Sequence, residues 1–279
     1  MCFSPPISMG IGTASWAMAL WLWLGRKEPA LGRRALMFWY FGFIEFLQVA
    51  QYQVADQCDN PANQWMTYIA YMHIAFQPLV VNNYFWAGHA ARSPELTKFI
   101  LRMCTLGGVM MLLRLPGMPL GWLGDRVHHL IPDFPPSSMA GKGCHYLESS
   151  CHPTLCSLKG GGMGHISWGV PLLPSTYFIP GASLHFFLFF VPTLLAGAGV
   201  RRKLMVGTLI IGPLMSMYMT KGDLKTYPLE WPTIWCFFAA LQSAAAMLFE
   251  IGWPTAFAPR PRRPKPADAS GAANGVKAE

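Results

Sequence analysis

Long apolar stretches, sparse charge and a one-sided distribution of basic residues predict an all-α fold, a bundle of seven transmembrane helices. Of the 279 residues, 53% are hydrophobic and 12% charged, about half the charged share of a soluble domain. Seven segments approach the roughly 20 residues needed to cross a bilayer: 7–24, 35–54, 65–88, 99–115, 177–199, 204–219 and 231–251. Fifteen of the 21 basic residues fall on alternate connections: Arg26, Lys27, Arg33 and Arg34; Arg92, Lys98 and Arg102; Arg201, Arg202 and Lys203; and Arg260, Arg262, Arg263, Lys265 and Lys277. Cytoplasmic segments carry the Lys/Arg excess, so the expected orientation is N-terminus outside and C-terminus inside. The net charge of +8 then reads as a topology signal and excludes nucleic acid as a partner.

The segments justify themselves in order. The first carries Trp16, Trp21 and Trp23 as interfacial anchors, with Gly10 and Gly12 for close helix contact. It lacks a basic leader and is followed by arginine, which argues against a cleaved signal. The third, fifth and sixth contain Pro78, Pro192 and Pro213, each expected to bend its helix. Pro232 opens the seventh, where proline is tolerated, beside Glu230. The connection 116–164 is long and Cys/His-rich, and 165–168 reads as a re-entrant or interfacial segment feeding the fifth span. The domain plan is a membrane unit over 1–253 and a disordered basic, proline-rich tail over 254–279, placed against anionic inner-leaflet lipids.

Polar side chains recur at one depth. Glu45 and Gln48 in the second span, His73 and Gln77 in the third, His185 in the fifth and Gln242 in the seventh are all expected near the midplane. Ionisable groups at that depth cost about 2.5–3.5 kcal/mol and face the bundle interior. The plain reading is that they hold the bundle together. The sharper one is a shared site, with Glu45, His73 and His185 in catalytic or metal-ligating roles and Gln48, Gln77 and Gln242 lining it. Two imidazoles and a carboxylate suit iron or zinc, and two histidines suit haem; apart from these, Met215 and Met219 form a pair that could hold copper but reads as core packing in a chain with 17 methionines. Glu45 and His73 also suit a proton relay. No P-loop or nucleophile elbow is present, and no lysine lies in the seventh span to carry a retinal Schiff base.

Cys2, Cys58, Cys144, Cys151 and Cys156 are expected outside, where disulfides predominate. A zinc cluster of Cys144, His145, Cys151, His152 and Cys156 is the alternative, although its spacing fits no standard module. Cys2 is the expected free thiol and a candidate nucleophile or chelator, and Cys104 is expected to pack.

Met1–Ser4, Glu45-Phe-Leu-Gln48, Asp56-Gln-Cys58, His73-Ile-Ala-Phe-Gln-Pro78, His165-Ile-Ser-Trp168 and Glu230-Trp-Pro-Thr-Ile-Trp-Cys236 together resemble an uncharacterised family of multi-span membrane proteins. The resemblance implies the architecture and carries no activity. The leading expectation is a multi-pass protein of a plasma or bacterial inner membrane. It would be an enzyme or metal/cofactor-binding protein open to the outer face and taking a small molecule or ion. A proton-coupled transporter or channel using Glu45 and His73 comes second, and a receptor or assembly factor third.

Overall fold

Four of the helices begin at a proline. A computed structural model describes residues 4–25, 29–87, 93–115, 140–141, 151–159, 166–174 and 182–196, with single positions between 207 and 248. Helix α1 runs Pro5–Gly25, α2 Pro29–Gln51, α3 Pro61–Trp86 and α4 Pro94–Leu112. Proline suits a first helical position because its missing N–H would find no partner within the helix there. At α3 the start is reinforced by Asn60, whose side chain accepts the Ala62 N–H at 3.0 Å. Helix α5, Ala182–Ala196, contains Pro192, and α3 contains Pro78.

α1 lies along α2, and α3 packs against α2, α4 and α5. Small residues set the closest approaches. A Cβ at Gly42 would fall 2.2 Å from the Trp16 ring, and one at Gly108 would fall 2.6 Å from the Phe76 ring and 3.0 Å from the Ala75 carbonyl oxygen. The main core joins Leu22 of α1, Phe38 and Phe41 of α2, Val81 and Tyr84 of α3 and Phe189 of α5.

Two short strands complete the described structure. β1 (Cys156–Lys159) pairs antiparallel with β2 (Ile166–Gly169), Ser157 opposite Trp168, and both strands pack on α3. Residues 166–168 are thus part of a sheet, and the expected re-entrant or interfacial segment is corrected. The strand reading follows from Ile166 and Trp168 facing the core opposite a chain that turns back after Lys159.

The seven-span bundle is also corrected. Among the described residues one helix, Pro5–Leu24, is long and apolar enough to cross a membrane. The stretches beyond α1 had been counted by length, but α2, α3 and α4 carry Arg33, Arg34, Glu45, Asn63, His73, Asn82, Asn83, Glu95, Lys98 and Arg102, too many polar groups for the same standard. The apolar part of α5 covers only Ser183–Pro192. The expected orientation, argued from basic residues on alternate connections of seven spans, falls with the count. The sixth and seventh segments lie mostly outside the described residues, as does most of the loop 116–164 and the whole tail.

Candidate functional site

α2 carries a buried polar stripe. Glu45, Gln48 and Gln51 recur every third residue, each step drifting about 60° around the helix, and they are 3%, 1% and 0% exposed. Across from them α1 presents Ser8, which is fully buried. The Ser8 hydroxyl donates to Gln48 Oε1 at 3.4 Å and is in hydrogen-bond contact with the Glu45 carboxyl. Gly12 lies against Glu45 Cβ, so the helices meet too closely for a bulky side chain. Glu45 Oε2 is buried and has no hydrogen-bond partner among the described residues. Leaving a buried polar atom unpaired costs about 1–3 kcal/mol, and such an atom marks a place where the fold tolerates strain for a reason.

His73 belongs to a different contact. Its Nε2 lies 2.9 Å from the Tyr40 carbonyl oxygen, and its ring stacks on the Tyr40 ring at 3.8 Å. The Tyr40 hydroxyl donates in return to the His73 carbonyl oxygen. Phe41 and Phe43 close the surroundings. His73 Nδ1 is left buried and unpartnered among the described residues. Gln77, one turn on, is buried as well. His185 of α5 sits near Phe189 at 6.1 Å between ring centroids, and its Nδ1 is also buried without a partner.

The expected residues therefore divide. Glu45 and Gln48 share the α1–α2 seam. His73 is held on the α2–α3 seam by Tyr40, five residues and about 140° around α2 from Glu45. His185 comes from α5. Among the described residues no three His, Cys, Asp or Glu side chains come together as a metal site, which corrects the Glu45–His73–His185 metal centre. Counting along each helix groups positions 45, 73 and 185, but Glu45 lies against Gly12 of α1 while His73 stacks on Tyr40. Cys2 and Gln242 lie outside the described residues.

A second polar cluster sits where α2 ends and α3 begins. Gln51 Nε2 donates to Ser157 Oγ at 3.0 Å, and Trp168 Nε1 donates to Gln51 Oε1 at 3.1 Å. Thr67 Oγ1 and Ser157 Oγ are 2.7 Å apart. Asn63 Nδ2 donates to the carbonyl oxygens of Val54 and Ser157 at 2.7 and 3.0 Å. The turn between the helices joins in: Asp56, at φ 69°, donates its N–H to Ser157 O and accepts the Lys159 N–H on Oδ1, both at 2.9 Å. Asp is one of the few residues that adopts this left-handed conformation readily.

A disulfide, Cys58–Cys156, fastens the turn to β1. Cys151 is disulfide-bonded too, while Cys104 is buried and free. The disulfide expectation holds at these positions, and with Cys151 and Cys156 oxidised the zinc alternative does not. The hairpin is therefore a cap pinned to the two helix ends by one covalent bond and a satisfied hydrogen-bond network.

The family model for DUF5765, a family of unknown function, matches residues 6–251. The chain belongs to DUF5765. The DUF5765 match takes in every helix and strand described above and stops short of the basic tail. No curated protein matches the chain, and no solved structure does.

Sequence reasoning passed over Ser8, Asn63, Thr67, Ser157 and Trp168. The signal for the cap was present in part: Asn63 and Thr67 are one turn apart at the head of an apolar helix, and Ser157 adjoins a cysteine expected to be oxidised.

Proposed function

We propose that this DUF5765 protein is held in a lipid bilayer by its helical bundle and handles a proton or small cation at Glu45, entering from the capped end. What supports embedding is an inverted distribution of polarity. Trp23 and Leu24 of α1, Phe99 and Leu106 of α4 and Phe187 and Leu195 of α5 are each more than half exposed. Meanwhile Ser8, Glu45, Gln48, His73, Gln77 and Asn82 are buried. Soluble proteins seldom expose so many large apolar side chains, whereas a bilayer favours apolar side chains outside and polar ones within.

The observation that carries the functional reading is Glu45 Oε2, buried with no hydrogen-bond partner among the described residues, on the same helix as the buried amides Gln48 and Gln51, the last of which reaches the cap. Its neighbours, a hydroxyl and an amide, are oxygen-bearing groups that solvate a proton or a hard cation. Arg33, Arg34 and Lys98 lie at the opposite end of the helices, in the first two turns of α2 and α4, while Arg114 and Lys159 lie at the capped end. Disulfides favour a non-cytosolic compartment, which supports a reading with the cap on the outer side. Purified protein reconstituted in liposomes, with ion movement followed by a trapped pH dye and by sodium or potassium tracers, tests this. Movement of one ion that Glu45→Gln abolishes supports the reading. Flux unchanged in Glu45→Gln, or no flux of any of these ions, overturns it.

A second reading, of a cofactor-binding protein, draws on His73 Nδ1 and His185 Nδ1, both buried and unpartnered among the described residues. Neutral imidazole nitrogen is the donor that haem iron, zinc and copper favour. Elemental analysis and a visible spectrum of purified protein separate the two readings. A stoichiometric metal or chromophore lost in both His73→Ala and His185→Ala favours this one.

A further inference from the structure

The structure places a proline break in α5 directly against an amide from α3. Pro192 has no N–H to offer the carbonyl of residue 188, four positions earlier. That freed Leu188 oxygen accepts a hydrogen bond from Asn82 Nδ2 at 2.8 Å. The same nitrogen donates to the Pro78 carbonyl oxygen at 2.8 Å and contacts Cys104 Sγ at 3.5 Å. Cys104 Sγ in turn lies 4.0 Å from Leu188 O. One turn along α3, Trp86 Nε1 donates to the carbonyl oxygen of Pro192 itself at 3.2 Å. Leu188 also fills the space over Gly107 of α4, where a Cβ would lie 2.3 Å from its Cδ1.

We propose that α5 is a two-segment helix hinged at Pro192, and that Asn82 and Trp86 of α3 form the latch that keeps the hinge in its observed position. Three features make it a latch rather than ordinary packing. One bond from α3 falls on the Leu188 carbonyl, which Pro192 leaves without its helical N–H, and so replaces the support the helix lacks there; a second falls on the carbonyl of Pro192 itself. Asn82 is fully buried, yet its Oδ1 has no partner among the described residues, so this side chain is retained for its donor despite the cost of an unsatisfied acceptor. The donor is already shared among three acceptors, so releasing Leu188 O leaves Asn82 bonded to α3 itself and the latch able to open without stranding its nitrogen. This device involves none of Ser8, Glu45 or Gln48, and does not depend on the ion reading.

A double-mutant cycle tests the idea, because Pro192→Ala restores the missing N–H and makes the latch redundant. Amide hydrogen exchange in α5 is measured on detergent-purified full-length protein for the native chain, Asn82→Ala, Pro192→Ala and the double variant. The latch requires that Asn82→Ala speed exchange beyond residue 192 by about tenfold or more in the native background, but by less than about twofold in the Pro192→Ala background. Equal acceleration in both backgrounds, or none in either, overturns it. Should Asn82→Ala fail to accumulate as folded protein, the double variant decides. Recovery of folded protein by Pro192→Ala supports the latch, and continued failure of the double variant, with Pro192→Ala alone folding normally, overturns it.

Discussion

Asn63 and Ser157 are bonded to each other twice. The Ser157 N–H donates to Asn63 Oδ1 at 2.7 Å, and Asn63 Nδ2 donates to Ser157 O at 3.0 Å. The side-chain amide of α3 thus pairs with β1 as a neighbouring strand would, satisfying both backbone groups of one residue of a two-stranded sheet. It joins parts of the chain 94 residues apart and explains how strands of four residues each persist.

Replacing Asn63 by Ala strands the Ser157 N–H and removes the donor shared by Val54 and Ser157. At roughly 1–3 kcal/mol for a buried group left unpaired, the expected loss is about 3 kcal/mol of stability. Thr67→Ala removes one hydroxyl from the same cluster, and the expected loss is about 1 kcal/mol. Thermal unfolding in detergent, followed by circular dichroism, orders the two variants. Equal midpoints would show that the Asn63 pairing carries no special weight.

Cys58–Cys156 closes a separation of 98 residues. The chain-entropy model gives about 4–5 kcal/mol for a loop of that size as an upper figure. Cys58→Ala with Cys156→Ala is expected to cost about 2–4 kcal/mol. Maleimide labelling of the oxidised native protein should leave Cys104 unmodified until denaturant is added, since it is buried. Early labelling there would mean that α4 opens locally.

Gly108→Ala drives a methyl into the Phe76 ring and to within 3.0 Å of the Ala75 carbonyl oxygen. The ring can rotate but the carbonyl cannot, so overpacking is expected to destabilise by about 1–3 kcal/mol. Gly42→Ala meets the Trp16 side chain first, with the Gly12 carbonyl oxygen next at 3.2 Å. Its cost lies in displacing a ring whose Nε1 donates to Trp39 O at 3.2 Å. Indole fluorescence should shift in Gly42→Ala and stay unchanged in Gly108→Ala.

At the opposite end, Glu95 opens α4, and the hydrogen bond from Lys98 at 2.9 Å holds its carboxyl below the usual range. A depressed folded-state value contributes stability above the unfolded pKa, and that contribution disappears as pH falls through the folded value. Both side chains are exposed, where such pairs contribute little. Glu95→Gln should leave the unfolding midpoint at neutral pH nearly unchanged and flatten its decline in acid. A large change at neutral pH would show that α4 depends on this pair.

Apolar run length made α1 to α5 legible in sequence, and the burial of Glu45, Gln48, His73 and Gln77 followed from polar residues set among apolar ones. Depth could be counted from helix ends, but facing could not. His73 turns to Tyr40 while Glu45 turns to Ser8, a difference of rotation that a count of residues does not contain. The oxidation of Cys58 and Cys156 was legible from the expected compartment, but its pairing awaited the hairpin. The hairpin itself was missed because four-residue strands give too little alternation to stand out from an apolar helix. Span number was overestimated because stretches were judged by length, although α2 to α4 owe their burial to polar contacts as much as to apolar ones.

Ser157 and Trp168 are cross-strand partners, and Gln51 engages both through a single amide. A slip of one residue between the strands would send these two side chains to opposite faces, and no rotamer of Gln51 would then reach them together. Cys156 is the immediate neighbour of Ser157, so the amide contact that selects the register and the bridge to Cys58 act on adjacent residues of β1. One chooses how the strands align and the other ties that strand covalently to the turn.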